Sequence, residues 1–506
     1  MDSRGILSLG VAVVILSFTL LSIKTGYKKE LRQIPGPFFA RFSGLYRLSL
    51  VLTGRAPLEY RRVHQEYGSI VRVGPNHVSI SDPVVIPQIY GIGADYKKTH
   101  FYNVFIPYYK DRPMQSLFAT SDTEYHKALK RPVAQLFSMT NMKHYEIYIN
   151  ECTKIFMDIM QELQDQPIDL GMWLQFYAFD VIASVTFQRR FGFMENRTDV
   201  DNMIGRLSSA LQYGKVIGQF PGLHPWLIGN KRLLNTIEAV GIRLPDPLVQ
   251  FVKITEDEIE RYDRQAKIQG MERTDFLAQL RTKDAQSGQI SYRDMVNHLS
   301  NNILAGSDTT AISLRACFYY LMKTPRAYEA LVAEIDGADS RGLLSSFVTY
   351  DECLRLPYLQ AVMKEAMRMH PGVAFPLERY VPRGGATLCG VWLPEGTTVS
   401  VNAAVIHMDK VVYGKDADQF RPERWIDASP ERLKMMERSF LAFGYGSRTC
   451  IGKNISILEM GKFLPQILRD FDVIWAAPEP EWKLHAAWFW MQSGMIAKFR
   501  WRQKSH

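Results

Sequence analysis

The residue with the most chemical promise is Cys450, set in the stretch Phe443-Gly444-Tyr445-Gly446-Ser447-Arg448-Thr449-Cys450-Ile451-Gly452. Two glycines allow a tight loop, Arg448 supplies a fixed cation, and the periodic apolar run from Ile455 to Leu468 begins shortly after the sulfur. That order predicts a cysteine near a helix N-terminus, where free N–H groups and the macrodipole favour a thiolate. A thiolate beside an arginine suits a soft metal, or a metalloporphyrin that carries acidic side groups. Two plainer readings compete. A lone cysteine is most often a small buried hydrophobe. Gly444-x-Gly446 also opens a dinucleotide-type GxGxxG, although Thr449 stands where the third glycine belongs and no clear strand precedes it.

Two further constellations could carry chemistry. Ala305-Gly306-Ser307-Asp308-Thr309-Thr310 lies in the middle of a long helical pattern that starts at the capping-box-like pair Ser291 and Asp294 and ends at Lys323-Thr324-Pro325. Such a helix is about 48 Å long, enough to cross a domain. Small residues, a glycine and two consecutive threonines at its centre predict a local widening or kink. Asp308 beside Thr309, in otherwise apolar surroundings, reads either as a proton-delivery pair or as an irregularity satisfied by the preceding turn. Glu365-x-x-Arg368 places opposite charges on one helix face; at a surface such a pair is worth little.

These residues need a scaffold, and 506 residues with 46% hydrophobic and 22% charged content can bury a large core. No repeat, low-complexity tract or Gly/Ser linker divides the soluble part. Helical periodicity dominates from about residue 120 to about residue 370. The β-branched runs Ile70-Val71-Arg72-Val73 and Thr397 to Val401 predict strands near either end. The expected class is therefore mainly α with small β-sheets. Segment 96–118, aromatic-rich and interrupted by Pro107 and Pro113, reads as a covering loop over an apolar pocket or, equally, as the cap of a satellite core.

Five cysteines without a CxxC suggest neither a disulfide framework nor a zinc site, and point to a reducing compartment. Ile6 to Ile23 is free of charge and as a helix would span about 27 Å, close to the hydrocarbon thickness of a bilayer. No small-x-small cleavage site follows it, so it reads as a retained transmembrane anchor rather than a cleaved signal. Lys24, Lys28, Lys29 and Arg32 after it, against Asp2 and Arg4 before it, leave the C-terminal mass in the cytosol. The expected organisation is a short lumenal N-terminus (1–5), the anchor (6–23), a basic linker (24–40) stiffened by Ile34-Pro35-Gly36-Pro37, and one catalytic domain (41–506). The net charge of +9 suits a membrane surface or an acidic partner protein. No dense basic block with interleaved aromatics suggests nucleic acid.

On these motifs the chain resembles the cytochrome P-450 superfamily of haem-thiolate monooxygenases. FGYGSRTCIG is similar to the superfamily's haem-ligand signature FxxGxRxCxG at Phe443, Gly446, Arg448, Cys450 and Gly452. Ala305-Gly306-x-Asp308-Thr309-Thr310 looks like its oxygen-activation motif and Glu365-x-x-Arg368 like its ExxR. Phe420-Arg421-Pro422-Glu423-Arg424-Trp425 looks like its PERF region with Trp in place of Phe. The resemblance implies haem b with Cys450 as axial iron ligand, O2 as co-substrate, and proton delivery by Asp308 and Thr309. It implies a buried triad of Glu365, Arg368 and Arg424, in which removing one member would cost about 3–5 kcal/mol. The anionic haem propionates would be met by Arg448, by Arg379, and by His126 and Lys130, which stand where the family more often carries Trp and Arg. Phe443 would join that cofactor site. Pro465, inside the helix after the cysteine, predicts a kink.

The resemblance further assigns substrate positioning to the 96–118 loop with Phe105, the helix face at Asn301, Asn302 and Ala305, the turn Val373-Ala374-Phe375, and Trp488-Phe489-Trp490. These are mainly apolar and suit a hydrophobic small molecule. Electrons would come from NADPH through a membrane-bound reductase docked on basic residues such as Lys127, Lys130, Arg131 and Lys453, with a cytochrome b-type donor as a second source. The location implied is the endoplasmic reticulum membrane. His370-Pro371-Gly372-Val373 to Arg379, and Gly384 through Asn402, look like fungal enzymes of the pisatin-demethylase type. That implies secondary-metabolite biosynthesis or, alternatively, detoxification of plant compounds. Two other readings are a haem-thiolate isomerase or dehydratase without oxygen activation, and a non-catalytic haem sensor or carrier; the Asp308–Thr309 pair speaks against both.

Overall fold

The computed structural model describes residues 26–110, 112–239, 247–269 and 273–503. The expected anchor at 6–23 lies outside the described residues. Helices make up most of the molecule. Those that bear on the site are α1 (Leu45–Leu52), α2 (Thr123–Lys130), α3 (Leu170–Phe187), α4 (Met203–Ile217), α5 (Tyr292–Lys323), α6 (Pro357–Met369) and α7 (Lys453–Asp470).

The long helix α5 forms for the reasons its ends suggest. Ser291 Oγ accepts from the Asp294 N–H at 3.1 Å and donates to the Asp294 carboxylate at 2.7 Å. At the other end Pro325 follows the cap residue Thr324, and the residue before a proline is driven out of the helical region. The expected widening at Ala305–Thr310 is not seen: α5 runs unbroken for 32 residues. Ser307, Thr309 and Ser313 instead donate to carbonyls four residues back, at 2.9, 2.7 and 3.0 Å. The polar side chains are thus satisfied without opening the backbone.

α3 is predominantly apolar, and 94% of it is buried. Among the described residues it is the one helix long and apolar enough to cross a membrane, yet here it packs along α5. Gly306 permits that approach, since a Cβ there would fall 2.8 Å from the Ile182 side chain.

Small sheets flank the helices. β1 (Ile70–Gly74), β2 (His77–Ile80), β3 (Arg379–Tyr380) and β4 (Thr398–Val401) join in the order β1-β2-β4-β3. β2 and β4 are parallel with Val78 opposite Val399, and the other pairs are antiparallel. The hairpin of β5 (Lys483–Ala487) and β6 (Phe489–Ser493) turns at Trp488. A three-stranded sheet closes the C-terminal side, with strand Ile496–Trp501 between Phe471–Trp475 and Ile168–Asp169.

Two segments depart from expectation. The 96–118 segment holds a 3-10 helix, His100–Phe105, and a short hairpin pairing Tyr108–Tyr109 with Arg112–Pro113. Its Phe101 and Tyr102 are buried. The linker is docked from residue 26 onward: Leu31 and Ile34 are buried, the Arg72 N–H donates to the Pro35 carbonyl at 2.7 Å, and Arg72 Nη1 reaches the Gly26 carbonyl at 3.0 Å. It is a strap on β1 rather than a free spacer. Pro465 lies inside α7, which continues to Asp470.

Candidate active site

The Cys450 loop is held at three points. The Cys450 N–H donates to the Phe443 carbonyl at 2.8 Å, closing the turn. Gly446 has a φ of +63°, and a Cβ there would lie 2.0 Å from the Tyr90 carbonyl oxygen, so only glycine allows the loop to seat. The Leu441 N–H, at the loop's start, donates to His407 Nε2 at 2.8 Å. α7 begins at Lys453, which puts the sulfur just ahead of a helix N-terminus, as its spacing predicts. Cys450 is accessible although it is surrounded by protein mass, so it opens onto interior space rather than bulk solvent. Burial pushes its thiol up; the Gly452 and Lys453 N–H groups pull the other way and do not win. The helix terminus thus favours the thiolate, as its spacing predicts, against the opposing effect of burial, and a bound metal cation would add to that pull.

α5 packs on α7 through Thr310 and Ser456, whose hydroxyls lie 3.0 Å apart. Around the middle of α5, Ile303, Ser307 and Asp308 are buried. Ala305 is nonetheless exposed and Thr309 half-exposed. An accessible stripe one helical turn long on a core helix, together with an accessible thiol before α7, describes a cradle that protein atoms leave unfilled.

Beside it is a group of cations. Arg448 Nη1 donates to the Thr120 carbonyl at 3.1 Å and Nη2 to the Asp122 carbonyl at 3.4 Å. Lys130 reaches the Ser447 carbonyl at 3.3 Å. Arg379 Nη1 donates to the Tyr102 hydroxyl at 3.2 Å and to the Glu378 carbonyl at 2.7 Å. Lys98 donates to the Phe118 carbonyl and sits 4.4 Å from the Tyr102 ring centroid. Every one of these bonds goes to a carbonyl or a phenol. Burial, then Arg379, brings Arg448 down to about 10; burial, then Arg379 and Arg448, drives Lys98 well below the usual lysine range. Burial, then Arg448, Lys130 and Lys98, takes His126 down to about 4. His126 is therefore a neutral imidazole rather than the expected cation, and Lys98, absent from the sequence expectation, joins in its place. Mutually repelling cations that hydrogen-bond to no carboxylate fit the two acidic side groups of a haem.

The triad is assembled. Arg368 donates to both Glu365 oxygens at 2.8 Å, and Arg424 Nε donates to Glu365 Oε1 at 2.8 Å. Burial would raise Glu365, but Arg368, Arg424 and the Arg421 N–H outweigh it and hold the carboxyl below its usual range. The tryptophan in place of phenylalanine is put to use, because Trp425 Nε1 donates to Glu365 Oε2 at 2.9 Å. Arg368 also donates to the His407 carbonyl at 2.6 Å, and His407 Nδ1 meets the Arg368 carbonyl at 3.0 Å. Since His407 Nε2 receives the Leu441 N–H, the chain of bonds runs from Glu365 to the Cys450 loop.

Asp308 and Thr309 diverge, as neighbours about 100° apart on a helix must. Thr309 lies on the accessible stripe, donating to the Ala305 carbonyl. Asp308 is 2% exposed and accepts from Gln175 Nε2 on α3; Arg315 donates to Gln175 Oε1 at 2.7 Å. Burial pushes Asp308 up to about 6, against the pull of Arg315 and Gln175.

Of the expected pocket residues, Phe105 and Phe375 meet around Trp488, with ring centroids 5.9 and 6.2 Å from it. Phe101, Phe118 and Tyr102 complete this cluster at 5.3, 5.5 and 5.9 Å. Val373 bridges Phe489, which ties the turn after α6 to β6. Asn302 is half-buried on α5, and Asn301 turns its amide back to Asn297.

The sequence matches the cytochrome P450 family over residues 37–493. It is 36% identical to the cytochrome P450 monooxygenase cicH of Emericella nidulans, over 97% of this chain and 98% of that protein. It is 35% identical to pisatin demethylase of Fusarium vanettenii, over 95% and 91%. It is 36% identical to the longer cytochrome P450 monooxygenase mpaDE of Penicillium roqueforti, over 94% of this chain and 56% of that protein. With a mainly helical fold bearing small sheets, the chain belongs to the cytochrome P450 family of monooxygenases, enzymes that hold haem b and use O2 with electrons passed from NAD(P)H by a reductase.

Proposed function

We propose that this protein is a membrane-anchored monooxygenase that oxidises a hydrophobic small molecule in fungal secondary-metabolite biosynthesis, with Cys450 as the axial ligand of its haem iron. The observation that carries this reading is an accessible thiol inside the protein mass beside buried and half-buried cations whose hydrogen bonds go only to carbonyls and a phenol. Arg448, Arg379, Lys130 and Lys98 would hold the propionates, and His126 would add a neutral N–H donor. Phe443 supports the ligand through its carbonyl. When bound, the haem supplies oxygen activation and transfer to carbon, tuned by its thiolate ligand.

The remaining work falls to side chains. Thr309 presents a hydroxyl on the accessible stripe, and Asp308 holds a proton at its carboxyl below about pH 6. Delivery from one to the other requires the Asp308 side chain to leave Gln175 and swing about the helix, so Gln175 and Arg315 set its release. Phe105, Phe375 and Trp488 exclude water and favour an apolar substrate. Exposed Lys127, Arg131 and Lys453 give an acidic reductase a docking face on the cysteine side. The apolar run at 6–23, ahead of the docked strap, would hold the catalytic domain on the cytosolic face of the endoplasmic reticulum.

A second reading, demethylation of a plant compound, is favoured by the similarity to pisatin demethylase. Expression with a reductase and NADPH, followed by product analysis, separates the two. The ligand assignment is tested by Cys450→Ala: the reduced carbonyl complex should lose the red-shifted Soret band of thiolate ligation, and retention of that band would overturn it.

A further inference from the structure

On the unbroken helix α5, side chains at 298, 302, 305 and 309 fall within about 60° of one line, because steps of four and three residues nearly complete whole turns. Ala305 and Thr309 are the accessible residues of that line beside the haem cradle. Asn302 and His298 continue it toward the helix N-terminus, about 10 and 16 Å from Thr309 along the axis at the α-helical rise. Val296, Leu299 and Ile303, farther round the helix, are buried in the core.

The two polar residues between them differ from their neighbours in how they are satisfied. Asn297 Nδ2 donates to the Gln115 carbonyl at 2.9 Å, and Asn301 Nδ2 turns back to Asn297 at 2.8 and 3.0 Å. The His298 imidazole and the Asn302 amide make no hydrogen bond among the described residues. Protein atoms do not seal them off either, so their polar atoms open onto the space beside the helix. His298 is nevertheless only 6% exposed. The carboxylate one turn before it, Asp294, is taken up by Ser291 at 2.7 Å. A buried polar side chain normally has a partner; one that is buried, unpartnered and open to interior space is placed for a ligand.

We infer that His298 and Asn302 form a polar anchor for the substrate, an elongated, mainly apolar molecule that carries a neutral hydroxyl or carbonyl about 10–16 Å from the carbon oxidised. The identity of the oxidised end, marked by Thr309, rests on the proposed function; binding at the anchor does not. Ala305, small and accessible between anchor and Thr309, leaves room for the apolar body. The anchor is uncharged. Burial takes His298 down to about 4 against the pull of Asp294, so its ring offers one donor and one acceptor, and the Asn302 amide offers both as well. A hydroxyl or carbonyl can satisfy either residue. An anion suits the place badly, because it would lose its hydration within electrostatic reach of the Asp294 carboxylate, with no cation on the line to meet it.

The test uses full-length holoenzyme and three probes: 4-heptylphenol with its neutral hydroxyl, heptylbenzene without it, and 4-heptylbenzoate with an anion in its place. Binding is read by calorimetry and by the Soret band. 4-Heptylphenol is expected to bind at least about tenfold more tightly than either of the others, as one buried hydrogen bond implies. It should also shift the Soret band, whereas 4-propylphenol, too short to reach the iron from the anchor, should release heat without that shift. Asn302→Leu and His298→Leu should each remove most of the preference for 4-heptylphenol over heptylbenzene. His298→Gln, which restores a neutral donor and acceptor, should recover it. Equal binding of 4-heptylphenol and heptylbenzene to the unaltered protein, an equal Soret shift from the short phenol, a preference left intact in both leucine variants, or equal loss of both probes in those variants would overturn the proposal. The reduced carbonyl spectrum of the same samples reports thiolate ligation separately, so failure of the haem reading is recognised on its own.

Discussion

Two charge clusters in this protein, one buried and one partly so, end differently. Around Glu365 both carboxylate oxygens are taken by Arg368, Arg424, Trp425 and the Arg421 N–H, and the network closes on itself. Around Arg448 the cations outnumber anything that could neutralise them, and each lowers the proton affinity of the next. A closed network of this kind locks structure; an open one stores repulsion that an anionic ligand relieves. Burial alone does not separate them, since Arg368 and Arg379 are 0% and 5% exposed. What separates them is whether the partners are carboxylates or carbonyls.

The contrast is most easily broken at Glu365. Glu365→Gln strands the buried Arg368 guanidinium and leaves Arg424 with Asp416 as its one carboxylate; it should lower the unfolding free energy by about 3–5 kcal/mol, read from denaturant unfolding of the haem-free chain. A loss under about 1 kcal/mol would mean the network is not a lock. Next comes the open cluster, where the sign should reverse. Lys98→Met or Arg448→Met should speed haem transfer to apomyoglobin by about tenfold or more, as loss of a charge-assisted bond implies, while leaving the haem-free protein as stable as before or more so. Destabilisation of the haem-free form would erase the distinction.

Smaller effects sharpen it. Thr309→Ala should uncouple NADPH consumption from product and release peroxide; unchanged coupling would remove Thr309 from proton delivery. Asp308 titrates near 6 against an ordinary value of 3.8, so its neutral form is favoured by the fold. That contribution is full below about pH 4 and is lost as pH rises through about 6. Coupled turnover should show an inflection near pH 6, absent in Asp308→Asn and moved upward in Gln175→Leu, because the amide bond favours the ionised form. The smallest effect belongs to His126, at about 4 against 6.5. The fold favours its neutral form, so stability is present above pH 6.5 and drains as pH falls toward 4. His126→Gln should flatten that part of the acid unfolding curve.

How much of this was legible in the sequence depends on the reach of each interaction. Glu365 and Arg368 are three residues apart, so spacing alone places them together; Arg424, 59 positions away, needed the resemblance. The Cys450 loop was legible because its glycines and following helix are local. Lys98 was not, because the cations that cluster with it, Arg379 and Arg448, come from distant stretches of chain, and adjacent lysines in an aromatic-rich segment look solvated. The low proton affinity of His126 was hidden for the same reason: it follows from burial first and then from cations, both of which only the fold assembles. The widening expected in α5 failed on a local point, since the hydroxyls could return to carbonyls one turn back. His407, which links the triad to the cysteine loop, carries no motif and was found only by following hydrogen bonds.

Trp488 turns the β5–β6 hairpin with a φ of +78°, a backbone state that disfavours any side chain by about 1–2 kcal/mol. The indole is 3% exposed, and removing a buried tryptophan typically costs about 3–5 kcal/mol, so packing holds the residue where backbone preference would choose glycine. Drift toward a more relaxed tip is therefore blocked unless Phe101, Tyr102, Phe105, Phe118 and Phe375 change with it. In lineages descending from this chain, new substrate ranges should arise as coordinated sets of replacements at these six rings, while the hairpin tip taken singly stays fixed.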